Sequence, residues 1–372
     1  MNNQEICIWL SGIKGIGNKK IRCLLEYFES PHNIFLCDRK ELYNVAGISD
    51  KDIDNIVLAK KEEYISKNVV DYIDRLKKRN IRYVDCFSEE YPKKLKSIYE
   101  YPIGLYVRGK LQSENQPVVA IVGARNCSEY GKSVARELAS ELSSLGVGII
   151  SGLARGIDMA AHSGALHKDG KTYAVLGCGI DRCYPPENIE VFMECIKSGG
   201  VISEYGPGIP PMAGNFPMRN RIISGLADAV VVVEAKKKSG SLITADMALD
   251  QGKSVLAVPG RIADALSEGC NNLIYNGATM VLSVADVVKE LENNGYFITG
   301  SKSEDETFKN ITLASLEEMV YDVVCLVPKN IKEIMNDCNL EYQIVVETLI
   351  KLELMDVIVQ TSKGYYVRVM GN

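Results

Sequence analysis

Several short stretches of this 372-residue chain place glycine, small polar residues and cations together at turns, the residue types that hold anions. In NFPMRNRIISG, residues 215–225, Phe216, Arg219, Asn220 and Arg221 stand just ahead of the apolar run AVVVVEA. An arginine in such a place pairs with a nearby carboxylate or holds phosphate, and the residue types leave both open. Gly123-Ala124-Arg125 follows VVAIV, where glycine lets the backbone approach a ligand and Arg125 adds a charged fork. Ser151, Gly152, Ala154, Gly156 and Asp158 belong to SGLARGID, a turn that exposes amides at the start of a helix. Asp158 either caps those amides or orients a neighbouring arginine. Lys238-Ser239-Gly240-Ser241 opens another helix after Lys236 and Lys237. Gly177-Cys178-Gly179-Ile180-Asp181, followed by Tyr184-Pro185-Pro186, is a shaped turn that supports the others.

Several chemistries are missing from this set. No G-x-G-x-x-G with a ribose-binding acid about 20 residues on is present, and KSGSLIT lacks the ending of a P-loop. No histidine neighbours a serine in a triad-like pattern, and Asp158, Glu204 and Glu234 are single carboxylates. What remains is a set of amides, arginines and lysines with one aromatic, Phe216. Cations that track a backbone plus a ring on which a base can stack suit single-stranded nucleic acid, because duplex does not offer its base faces. Core packing is the alternative for Phe216.

The elements that position these turns follow from the hydrophobic period. From about 116 to 290, the short apolar runs PVVAIVG, VGIISG, KTYAVLG, GVISEYG, AVVVVEA and KSVLAVPG alternate with amphipathic segments. This pattern predicts an α/β domain, a Rossmann-like doubly wound parallel sheet with both faces covered. Ligands of such sheets sit beyond the C-terminal ends of the strands, where all the turns above fall. The domain is taken as residues 81–292, with 81–115 as a lead-in that packs on the sheet. Residues 1–80 read as short helices. SGIKGIG before NKKIRCLLEYF and VAGIS before DKDIDNIVLAKK predict a helix-hairpin-helix (SAM-like) domain. The first hairpin, followed by Lys19 and Lys20, suits a DNA phosphate, whereas the second, followed by Asp50 and Asp52, looks structural; a packing role without DNA is equally open. Polar residues 293–310 form a linker, and 311–372 predict three helices and a ribbon, a winged helix.

Composition narrows the class further. The chain is 46% hydrophobic and 24% charged, with a formal net charge of -5, so nucleic acid must be held by a local basic site. Residues 1–80 carry fourteen Lys and Arg against twelve Asp and Glu, and residues 311–369 carry five against nine. The predicted third helix of the winged helix bears Glu341, Glu347 and Glu353 against Lys351, which opposes groove binding and favours protein contact. Eleven scattered cysteines without a C-x-x-C pair, and three histidines, point to buried thiols and to no metal. The start of the chain lacks the order of a signal peptide, and no apolar run approaches membrane-spanning length. A cytoplasmic protein without membrane insertion is expected.

VAIVGAR, SGLARGIDMAAH, GCGIDRCYPPEN, SEYGPG, NFPMRNRIISGLADAVVVVEA, KSGSLITA, VLAVPG and GCNNLI occur in this order over residues 81 to 285. Together they resemble the DNA-processing DprA (Smf) family. The resemblance implies a non-enzymatic recombination mediator, without cofactor, that protects incoming single-stranded DNA in natural transformation and loads the RecA recombinase onto it. It implies a homodimer, and a DNA pocket made of Gly123, Arg125, the Ser151 to Asp158 turn, Phe216, Arg219, Asn220, Arg221 and Lys238 to Ser241. The surface for self-association and RecA would lie near the last strands, with Leu273 and Ile274 as candidates. The rival is a nucleotide-processing enzyme resembling phosphoribohydrolases, whose P-G-G-x-G-T turn is replaced here by VPGRIAD. A transcription regulator acting through the winged helix is a weaker third.

Overall fold

This computed structural model describes residues 1–298, 315–325, 327–355 and 357–368. Nine strands form one sheet: β1 (Arg82–Asp85), β2 (Gly104–Gly109), β3 (Val118–Val122), β4 (Gly148–Ser151), β5 (Thr172–Leu176), β6 (Gly200–Ser203), β7 (Ala229–Val232), β8 (Ser254–Ala257) and β9 (Thr279–Met280). Their order is β1-β2-β6-β5-β4-β3-β7-β8-β9. From β3 the chain winds outward through β4, β5 and β6. It then returns past them in the helix Asn215–Leu226 to lay β7 on the other side of β3. β3 and its neighbours β4 and β7 are buried throughout, as their unbroken Val, Ile and Ala runs require of strands covered on both faces.

The sheet is not wholly parallel. The lead-in contributes β1 and β2, which pair antiparallel with each other and with β6. Residues 81–115 therefore extend the sheet rather than only packing on it. In short strands bounded by Pro92 and Pro102, periodicity cannot reveal a pairing partner.

Helices fill Asn3–Gly12, Asn18–Phe28, Pro31–Leu36, Arg39–Leu42, Asp50–Ala59 and Asp71–Lys78. Their core joins that of one face of the sheet, and Trp9, fully buried, donates from Nε1 to the Ala59 carbonyl at 2.7 Å. The helix Asn18–Phe28 opens at Gly17 with no side-chain cap, as expected. Lys20, however, turns inward to Asp52 Oδ1 at 2.7 Å and to the Gly15 carbonyl at 3.0 Å. Burial works against the Asp52 carboxylate, but Lys20 and Ser49 together bring it down to about 2. The two hairpins thus hold each other, and Lys20 is spent inside the module.

The linker expected over 293–310 lies outside the described residues from 299 onward. Beyond it the helices Ser315–Val323, Ile331–Cys338 and Tyr342–Leu354 precede the ribbon β11 (Ile358–Ser362) and β12 (Tyr365–Arg368), joined by the strand β10 (Lys329–Asn330). This is the element order of a winged helix. The helix Tyr342–Leu354 exposes Tyr342, Ile350 and Leu354 beside Glu347, an apolar and acidic face.

Candidate nucleic-acid interface

Because β4 and β7 leave β3 in opposite directions along the sheet, the loops at their C-terminal ends part and leave a cleft. It encloses about 700 Å³. The turn after β3 supplies Gly123, Arg125 and Asn126, the turn after β4 supplies Ala154 and Asp158, and the helix after β6 supplies Phe216, Arg219 and Asn220. The turn after β7 supplies Lys236, Lys238, Ser239, Gly240 and Ser241. The lining thus carries Arg125, Arg219, Lys236 and Lys238 against one carboxylate, Asp158.

These groups differ in how they are held. Arg125 and Lys238 are exposed. Lys237 is drawn aside to Glu268 at 3.6 Å. Ser239 caps the helix Gly240–Asp250, its Oγ 2.8 Å from Ser241 Oγ. Asn220 links the two walls, its Nδ2 donating to the Gly240 carbonyl at 3.3 Å and its Oδ1 accepting from Arg219 Nε at 3.2 Å. Arg219 forms the floor. It is 4% exposed, and its Nη1 donates to the carbonyls of Gly152, at 2.7 Å, and Val175. A Cβ at 152 would stand 2.5 Å from Arg219 Nη2, so any side chain there would have to displace the guanidinium.

The turn after β4 resolves in favour of capping. Asp158 Oδ2 accepts from the amides of Gly152 at 3.1 Å and Ala154 at 3.4 Å, so these donors are already engaged. Burial raises the Asp158 carboxyl, with Arg219 pulling it back, and burial lowers Arg219, with Asp158 opposing. Ser151 is fully buried and donates to the Ile121 carbonyl at 2.6 Å, and Gly156 packs against the carbonyls of Ala124 and Arg125. Both shape the turn and neither lines the cleft.

Arg221 corrects the sequence expectation. It is 5% exposed and its Nη2 donates to Glu204 Oε1 at 2.8 Å and Oε2 at 2.6 Å, away from the cleft. The paired-carboxylate alternative describes Arg221, and Arg219 is a floor whose Nη1 serves backbone carbonyls. Leu273 and Ile274 also lie outside the cleft, half-buried on the helix Glu268–Tyr275 beside the edge strand β9.

Phe216 is half-buried in the wall. Arg125 lies over its ring, Cζ 5.4 Å from the centroid, and the Tyr184 ring stands 5.6 Å away, tilted by 33°. Sequence reasoning took the turn carrying Tyr184 only as a support. The signal available was its place beyond β5 at the same edge of the sheet. Among the described residues, no helix is long and apolar enough to cross a membrane, and no three His, Cys, Asp or Glu are grouped to hold a metal.

Residues 82–292 match the family model for DNA recombination-mediator protein A, and residues 10–62 match that of a SAM-like helix-hairpin-helix tandem. The chain is 40% identical over 285 residues to the DNA processing protein DprA of Streptococcus pneumoniae, covering 75% of this chain and 95% of that one. It is 37% identical to Protein Smf of a Synechocystis strain, over 78% of this chain and 74% of the relative. The X-ray structure of the pneumococcal DprA superposes with a TM-score of 0.59 at 35% identity, covering 78% of this chain and 98% of that one. A structure of the Helicobacter pylori DNA processing protein A, described for its single-stranded DNA binding mode, gives 0.52 at 31%, over 58% of this chain and 98% of that one.

Proposed function

Since the chain belongs to the DNA recombination-mediator protein A family, we propose that it binds single-stranded DNA in the cleft beyond β3, β4 and β7 and hands the coated strand to RecA. The observation that carries this is the lining itself: exposed Arg125 and Lys238 with Lys236 at the walls, a buried Arg219 beneath, and an aromatic pair at the mouth. Cations spaced along a groove follow a phosphate backbone, and rings beside them select bases that are not paired. Asn220 and the Ser239 cap hold the walls in register, so that little ordering remains to be done when DNA enters.

The role asks for no bond making. The protein sequesters the strand, keeps it from pairing, and releases it as the recombinase assembles. Two copies would join beside β9, where Tyr275, Met280 and Leu282 are exposed around Leu273 and Ile274. A dimer then offers two clefts to one strand and raises its effective affinity.

Binding of an unstructured oligonucleotide and of duplex of equal length, measured across a salt series, tests the proposal. Single-strand affinity should fall with salt by about 0.7 log units per tenfold salt for each phosphate neutralised. Arg125→Ala should weaken binding by about 1.5–3 kcal/mol and lower that slope by about one phosphate. Equal affinity for duplex, or no salt dependence, would overturn the reading.

A further inference from the structure

The rings at the cleft mouth are unequally open to a ligand. Phe216 has the Arg125 guanidinium over it and the Gly177 backbone so close that a Cβ there would stand 2.8 Å from Phe216 Cδ1. A ring already covered by a cation and wedged on backbone has little face left for a base. Tyr184 is 42% exposed. It lines both the main cleft and a side pocket of about 60 Å³ bordered by Arg125, Arg155 and Arg219. Its turn is also anchored. Asn188 Nδ2 donates to the Leu153 carbonyl at 3.0 Å, and Arg155 pairs with Glu187, tying the segment after Tyr184 to the turn after β4. A platform that is exposed, aromatic, held in place and flanked by cations is what base stacking requires.

We infer that Tyr184 is a base-stacking residue of this cleft: an unpaired base lies on the open side of its ring, Phe216 backs it, and the neighbouring guanidiniums face the phosphates. This rests on the single-strand reading above and moves the base contact from Phe216, where the sequence places it, to a residue that the sequence treats as scaffold. The side pocket is too small for a base, so the nucleotide lies across its mouth.

The test compares wild type, Tyr184→Leu and Tyr184→Phe on oligothymidylate and on an abasic sugar-phosphate strand of the same length. Leucine keeps apolar bulk without a π face, and phenylalanine keeps the face without the hydroxyl. Tyr184→Leu should bind oligothymidylate about 5- to 150-fold more weakly, the range for loss of one stacked base, and bind the abasic strand as wild type does. Tyr184→Phe should match wild type on both. An equal loss on both strands, no loss on either, or a Tyr184→Phe variant as weak as Tyr184→Leu would overturn the assignment. Wild-type protein that binds neither strand is a different result and removes the single-strand reading itself.

Discussion

Arg219 differs from the other cations of the cleft in being walled in, and its field reaches further than its hydrogen bonds. His162, fully buried behind the turn after β4, has Nδ1 2.7 Å from Thr172 Oγ1 and Cys195 Sγ 3.9 Å away. Burial, reinforced by the charge of Arg219, holds its imidazole down at about 3. The folded chain therefore keeps His162 neutral, whereas the unfolded chain takes up a proton near the ordinary value of about 6.5. The stability linked to this residue is complete above about pH 6.5 and is lost as pH falls toward about 3. Between pH 7 and pH 5 that loss is about 2 kcal/mol, at roughly 1.4 kcal/mol per pH unit below the unfolded value. Urea midpoints of wild type and His162→Gln at the two pH values check this, and His162→Gln should lose that much less. Equal losses would mean that the acid sensitivity lies elsewhere.

At the scale of the element, Arg219 and Arg221 show what a helix does to a motif. Two positions on a helix turn a side chain by about 200°, so the two arginines of NFPMRNRIISG cannot face one cleft. Glycine-rich turns and basic residues marked the right edge of the sheet, because strand period and turn chemistry are local signals. Read as a cluster of charges, though, the stretch hid that it forms the helix Asn215–Leu226 with opposite faces. Arg221 and Glu204 stand 17 residues apart, and no periodicity brings a loop carboxylate under a helix. Arg221→Met should cost about 1–3 kcal/mol by leaving the half-buried Glu204 without its partner. It should leave the salt slope of DNA binding unchanged, since Arg221 pairs with Glu204 and does not line the cleft. A thermal melt and the salt series separate the two effects, and a stable variant with a reduced slope would place Arg221 at the DNA after all. The six central strands were legible in the same way as the turns, whereas β1 and β2 were not, because their partners are chosen by tertiary pairing.

Across the whole molecule, the described residues form three apolar clusters rather than one per expected segment. The N-terminal helices share a core with one face of the sheet, the other face has its own, and the winged-helix elements have a third. Trp9, the chain's one tryptophan, sits in the first of these. Its emission should therefore change at the same denaturant concentration as far-UV signal from the sheet, in one cooperative step, while the winged helix loses its smaller core separately. Separate midpoints for Trp9 and the sheet would show the helical module to be an independent unit. Charge follows the same division: the acidic surplus of the chain gathers in the winged-helix segment, with nine Asp and Glu against five Lys and Arg over 311–369, away from the basic lining of the cleft.

The position of β3 has one more consequence, for how the protein is made. Val119 pairs with Ile149 on one side and with Ala229 on the other, and the cleft needs residues from Val122 to Leu266. At about 5–20 residues per second, the two ends of the cleft leave synthesis on the order of 10 s apart. Until Ala229–Val232 follows, β3 carries a bare apolar edge, open to chaperones and to misplaced strands. A growing chain that has not yet released Leu266 therefore lacks one wall of the cleft.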